Sequence, residues 1–216
     1  MKLLATALVF QLAISQAAFA TSQIPENLIL DGEELSLETN PLAALIHSKR
    51  ILLPDRESMS TANWRGYVGT WTVSDGKFLL EKLEMLQIPE GAAEGTRAVP
   101  VDVLPQLFDG QTRVEADWFS GTLVVPRGEV LDYVHMGYGS THERYTILHI
   151  GKGRVRSRDD LNAAQFEKLR KERFEAYKKT AEYASRFKEA RDELDPDQAE
   201  NFLYHFAVEA YMSQGR

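Results

Sequence analysis

Cysteine is absent from all 216 residues. That removes thiol catalysis, iron–sulfur clusters, cysteine zinc sites, disulfide bridges and lipid attachment at an N-terminal cysteine. A basic excess is lacking too. Lys and Arg number 25 against 32 Asp and Glu, a net charge of -7, so no positive field gathers nucleic acid. No apolar run is long enough for a membrane span, which takes about 20 residues; the most apolar stretch, Leu3–Ala20, is interrupted by Gln11, Ser15 and Gln16. Phosphate-cradling glycine loops are missing as well. Gly66-x-x-Gly69 and Gly137-x-Gly139 lie on or beside expected strands with no helix start behind them, which argues against nucleotide enzymes.

What is present begins with an export signal. Met1-Lys2 carries one positive charge, an apolar stretch follows, and Ala18-Phe19-Ala20 closes it with a small-x-small triplet. This is the pattern of a secretory signal peptide spanning residues 1–20, cleaved after Ala20. The expected location is therefore periplasmic or secreted, with no stable membrane span after cleavage. Losing Lys2 takes the net charge from -7 to -8. The remaining chain is long enough to build a core without disulfides.

Residues 21–156 read as β structure. Asn27–Leu37 places two short apolar runs around Asp31-Gly32, a dipeptide suited to the positive φ angles of a tight hairpin. Pro41–Ile46 suits one helical turn. The segment WRGYVGTWTVSDGKFLLEKLEML (64–86) is the clearest hairpin, turning at Ser74-Asp75-Gly76 with β-branched and aromatic residues in both arms. Pairing Val73 with Lys77 would put Tyr67, Trp71, Leu79 and Leu83 on one apolar face, and Trp71 in the core. Residues 87–112 suit a long connection with a short helix near Val101–Phe108.

The stretch VEADWFSGTLVVPRGEVLDYVHMGYGSTHERYTILHI (114–150) is expected to form three antiparallel strands. Turns at Pro126–Glu129 and Gly139–His142 would join them, and a last short strand would follow at Arg154–Arg156. In that register Trp118, Leu131 and Leu148 share one face. Both faces are apolar enough to be partly covered, which suits a sheet curled into a barrel or sandwich with something packed outside.

From Asp159 to Leu194 the chain has neither Gly nor Pro, and Leu169, Phe174, Tyr177, Ala181, Ala184 and Phe187 form a helical stripe. Nine acidic and nine basic residues share that segment, the balance of a solvated face. Asp195-Pro196-Asp197-Gln198 marks a second helix start, with Phe202, Phe206 and Ala210 along one side. The expected fold class is α+β: a curled antiparallel sheet of about seven strands, followed by a helical hairpin over 157–216.

Three segments, WRGYVGTWTVSDGK (64–77), ADWFSGTL (116–123) and YVHMGYGS (133–140), carry a resemblance. They are similar to a group of uncharacterised bacterial proteins, mainly β in structure, with a WRGYVATWEIKDGKL-like hairpin, an ADWF-S/T-G strand and a YVHMGYGS turn. The likeness covers roughly Asn27 to Val155; Gly69 and Thr72 depart from the first motif. It implies a shared fold unit and transfers no catalytic residue.

Few residues could carry chemistry. His135, His142 and His149 recur every seven residues, but the expected register places them where they cannot converge on one metal ion; neither metal nor cofactor is expected. Ser120 is expected opposite His135, with Thr146 on its other side; this is the start of a nucleophile–base pair, but the favoured reading is a row of hydrogen bonds satisfying a half-buried histidine. Asp132 opposite His149 would be an ion pair raising the histidine pKa. Asp117 and Glu143 are expected to gather at the turn end, where two carboxylates could act in glycoside hydrolysis or serve as edge charges. Tyr138, Ser140, His142 and Glu143 sit on a glycine-hinged turn, the best recognition loop in the sequence. The leading expectation is an exported, non-enzymatic binding or inhibitor-like module, protecting against a secreted toxin for example. Its partner would be a protein or a small molecule held by the 138–143 loop. The rival is a periplasmic hydrolase using Asp117 with Glu143, or Ser120 with His135. Homodimerisation through the C-terminal helices is a third reading.

Overall fold

The structure is a computed structural model that describes residues 21–55, 60–89, 91–93 and 95–213. The export segment 1–20 lies outside the described residues. Strands β1 (Glu26–Leu30) and β2 (Glu33–Leu37) form the first hairpin, with Asp31 and Gly32 at φ 55° and 82° in its turn. A short helix, α1 (Ala43–His47), follows.

Strands β3 (Val68–Ser74) and β4 (Lys77–Gln87) turn at Asp75-Gly76, both with positive φ, as the dipeptide predicts. The register differs from the expected one. Ser74 pairs with Lys77 and Val73 with Phe78, and a bulge between Thr70 and Trp71 brings Trp71 opposite Leu80. Phe78 and Leu80, rather than Leu79, therefore join Trp71 in the core, and Trp71 stacks on Phe78 with ring centroids 4.6 Å apart. The 87–112 connection contains β5 (Val99–Asp102) and α2 (Leu104–Leu107); β5 and then β6 (Val114–Glu115) both pair with β4.

The largest correction concerns the next segment. The chain runs straight through Pro126–Glu129 as one strand, β7 (Gly121–Asp132), and turns back only over residues 133–140 into β8 (Thr141–Gly151). Pro126 pairs with Tyr145 inside the ladder, and the register slips between Arg127 and Val130. The apparent turn is a bulge: Gly128 has φ 76° and lies against the Glu143 side chain, so it re-aims the strand without ending it. Strand β9 (Arg154–Asn162) is also longer than expected, and moves the end of the β region from 156 to 162.

The nine strands make one sheet in the order β2-β1-β3-β4-β9-β8-β7, with β5 and β6 on β4. It is mixed rather than antiparallel, because β1 and β3 run parallel. The ladder stays open between its end strands β2 and β7. Just past β2, though, Glu38 N donates to Val124 O at 2.9 Å, and the Thr39 hydroxyl accepts from Val124 N at 3.0 Å. Strand alternation then divides the interior. Leu123, Val125, Leu148 and Ile150 pack with Leu28, Leu37, Trp71 and Phe78 in a first core, while Val124, Tyr145 and Ile147 face the helices in a second. Trp118 joins the first core beside Leu148, but Leu131 is 59% exposed, so these three do not share a face as expected.

The expected single helix over 159–194 is two. Asn162 and Gln165 form a capping box that starts α3 (Ala163–Tyr177), and Thr180 caps α4 (Ala181–Ala190) by accepting from Tyr183 N at 3.1 Å. Asp195 and Gln198 cap α5 (Pro196–Phe206) as the sequence predicts, and α6 (Val208–Met212) ends the described chain. Phe166, Phe174, Tyr177, Leu203, Val208 and Tyr211 bury themselves against the sheet, so the hairpin of helices is a covering layer of four. No helix among the described residues is long and apolar enough to cross a membrane.

Candidate functional site

The connection from β7 to β8 is where the molecule combines exposure with firm support. At its outer end Val130, Leu131 and Tyr133 are 50%, 59% and 64% exposed. The Tyr133 hydroxyl lies 2.9 Å from His135 Nδ1, and both side chains are at the surface. These groups form an apolar and aromatic tip bordered by the exposed acids Glu129, Asp132 and Glu143.

Beneath the tip the chain is fixed by polar contacts. Tyr138, expected to point outward on a recognition loop, is buried instead. Arg65 donates to its hydroxyl at 2.6 Å, and that hydroxyl in turn donates to Asn40 Oδ1 at 3.2 Å. Arg65 also donates to the carbonyl of Ile24 at 2.8 Å and stands 3.7 Å from the Glu26 carboxyl. The WRGY and YVHMGYGS segments thus meet through one arginine and one tyrosine. Ser140 is spent locally: Val134 N donates to its hydroxyl at 3.1 Å.

The helices complete the support. Arg170 of α3, 2% exposed, donates to the Gly139 carbonyl at 3.2 Å, lies 3.1 Å from His205 Nδ1 and stacks over Tyr204. A side chain at Gly137 would strike the backbone of His205 and Phe206, and one at Gly139 the Met136 carbonyl. Gly137 is therefore demanded by the close seating of α5, and Gly139 by the tight path of its own loop.

Two buried carboxyls lie in the same region. Glu26 is fully buried and accepts from Trp71 Nε1; burial pushes its pKa up to about 7, against the lowering pull of Arg65 and that hydrogen bond. Burial takes Glu38 up to about 8, with Arg170 pulling it down. His142 stands 3.9 Å from Glu38, and burial lowers its pKa although it hydrogen-bonds the Gly128 backbone. Sequence reasoning missed Glu26, Glu38, Arg65 and Arg170. The signals available were acids inside otherwise apolar strand ends and an arginine on the stripe side of a helix.

The expected catalytic pairs are not brought together. Ser120 accepts from Lys152 N at 2.9 Å, and His135 sits at the far tip with Tyr133. Asp117 lies beside Gly153 at the β8–β9 turn, whereas Glu143 packs on Gly128; seven residues of strand, roughly 20 Å, separate those ends. Asp132 pairs with Thr141, and His149 binds Asp159 at 3.0 Å instead. The Ser120–His135 pair rests on a turn at 126–129 that reverses the second half of β7, and the Asp132–His149 pair on a turn at 139–142 where the chain instead turns over 133–140; the Asp117–Glu143 pair needs both. The structure does gather Ser120, Thr122, His149, Ser157 and Asp159 around an open depression of about 440 Å³. Comparison with family models, with curated proteins and with solved structures finds no match for this chain.

Proposed function

We propose that the chain is an exported, non-enzymatic binding module that presents the β7–β8 end, Val130–Glu143, to a partner of inhibitor or immunity type. One observation carries this reading: Val130, Leu131 and Tyr133 stand out in solvent at the end of a connection pinned from below by Arg65 and Arg170. Contiguous exposed apolar groups on a soluble protein mark interaction sites. A loop already fixed in place loses little conformational freedom when it docks, which favours tight binding. The barrel-like wrap of the sheet supplies the rigid base, and the recognition loop expected from the sequence becomes the supported underside of the contact surface. Ser140 and Tyr138 hold it; Tyr133, His135, His142 and Glu143 border it.

The test is capture of partners from periplasmic extract by the immobilised protein, followed by mass spectrometry. A specific partner should be lost on Leu131→Asp with Tyr133→Asp and kept on Ser120→Ala. Hydrolytic turnover that vanishes in Ser120→Ala or His149→Ala would overturn the reading. It would support a hydrolase at the depression where Ser120, His149 and Asp159 lie together, in place of the expected Asp117–Glu143 and Ser120–His135 pairs.

A further inference from the structure

Strand β9 has two neighbours at its start and one thereafter. β8 pairs with it from Arg154 to Asn162. On the other side, strand pairing among the described residues is Lys77 opposite Arg154, with the Gly76 carbonyl accepting from Val155 N at 2.9 Å, while the Arg154 and Arg158 side chains reach Glu115 and Asp31. From Arg156 to Asn162 no strand among the described residues borders the second edge, and every residue of that run except Leu161 is exposed. Arg156 is the extra residue of a bulge, passed over between Val155 and Ser157 in the ladder. Alternate residues of such an edge direct their N–H and C=O groups outward, ready for another strand.

Charge on an edge strand usually discourages pairing. Here the charges are sorted. Arg154, Arg156 and Arg158 occupy the first half of RVRSRDDLN, and Asp159 and Asp160 the second. A second copy laid antiparallel about a two-fold axis at Arg158 sets Ser157 opposite Asp159 and brings Arg156, at the bulge, against Asp160. Symmetry makes each of these pairs twice. The two Arg158 side chains meet on the axis already neutralised, each bonded to its own Asp31 at 2.7 Å and Asp160 at 3.2 Å. A parallel copy would instead set arginine against arginine.

We propose that the protein self-associates as a two-fold dimer by antiparallel pairing of β9 with β9 of a second copy, joining two β7-β8-β9 layers into one sheet. This surface is distinct from the β7–β8 tip and from the outer faces of the C-terminal helices.

Sedimentation equilibrium of the purified protein over a micromolar-to-millimolar series tests it. The expected result is a monomer–dimer equilibrium that Arg156→Asp or Asp160→Arg alone weakens about tenfold or more, and that the combined Arg156→Asp/Asp160→Arg chain restores. Hydrogen exchange on the unaltered protein should show Arg156–Asn162 amides slowing as concentration rises, a readout that needs no variant. A monomer throughout the series, or a dimer indifferent to both single reversals, overturns the proposal. So does concentration-independent exchange in β9.

Discussion

Glu26 lies with its carboxyl on the Trp71 indole and directly above Gly69. A Cβ at position 69 would come within 2.5 Å of Glu26 Oε2 and 2.7 Å of Trp71 Nε1. Glycine at 69 thus has a local cause: it makes room for a buried acid from β1. Glu38 poses a thermodynamic question. A carboxyl whose folded pKa exceeds its unfolded value binds its proton more tightly in the folded chain. The stability this brings is fully present below the unfolded value of 4.5 and is lost as pH rises through about 8. Between those limits the wild type should lose about 1 kcal/mol per pH unit relative to Glu38→Gln. Urea unfolding of both proteins at a series of pH values checks this; a pH-independent difference would contradict it. Trp71 as a core residue was legible from β-branched neighbours and alternation. Its acidic partner, 45 residues away, was not, because nothing local links the two.

Local signals at element scale succeed where one chemistry has one outcome. Asp31-Gly32 and Asp75-Gly76 both turn, since few other conformations use two consecutive positive φ angles. They fail where the same residues serve two purposes. Pro126-Arg127-Gly128-Glu129 has the composition of a turn, yet long-range pairing with Tyr145 and Arg144 keeps it in the strand, and every site distance inferred from a turn there fell with it. The α3–α4 break is quieter still. No Gly or Pro marks it; Thr180 alone does, satisfying an amide at the start of α4 while its own hydroxyl donates to the Tyr177 carbonyl. Thr180→Ala should therefore cost about 1 kcal/mol of stability, measured by chemical denaturation. A change near zero would show that packing of Tyr177 and Tyr183 alone sets the break.

Across the whole molecule, the sheet needs covers on both sides, and the second cover comes entirely from the last fifty or so residues of the sequence. Val124, Tyr145 and Ile147 pack in one core with the helices, and Tyr145 lies flat on Phe166 with ring centroids 3.5 Å apart. A chain ending at Asn162 should expose that face, bind a hydrophobic dye strongly and aggregate on concentration, whereas the full chain should do neither. A soluble, dye-silent truncation would mean that the sheet is self-sufficient. That both faces would be covered was readable from the apolar residues alternating along β7 and β8. Which strand met which helix was not.

Arg170 joins a carbonyl near the middle of the chain to helices at its end, and Ser213 supplies the carbonyl that the Thr122 amide donates to at 3.0 Å. A nascent chain of this build has no side chain for the Gly139 carbonyl until Arg170 is made, and no carbonyl for the Thr122 amide until Ser213 follows. This part of the fold therefore locks only after the later helices have docked, well after the strands they close upon have been made.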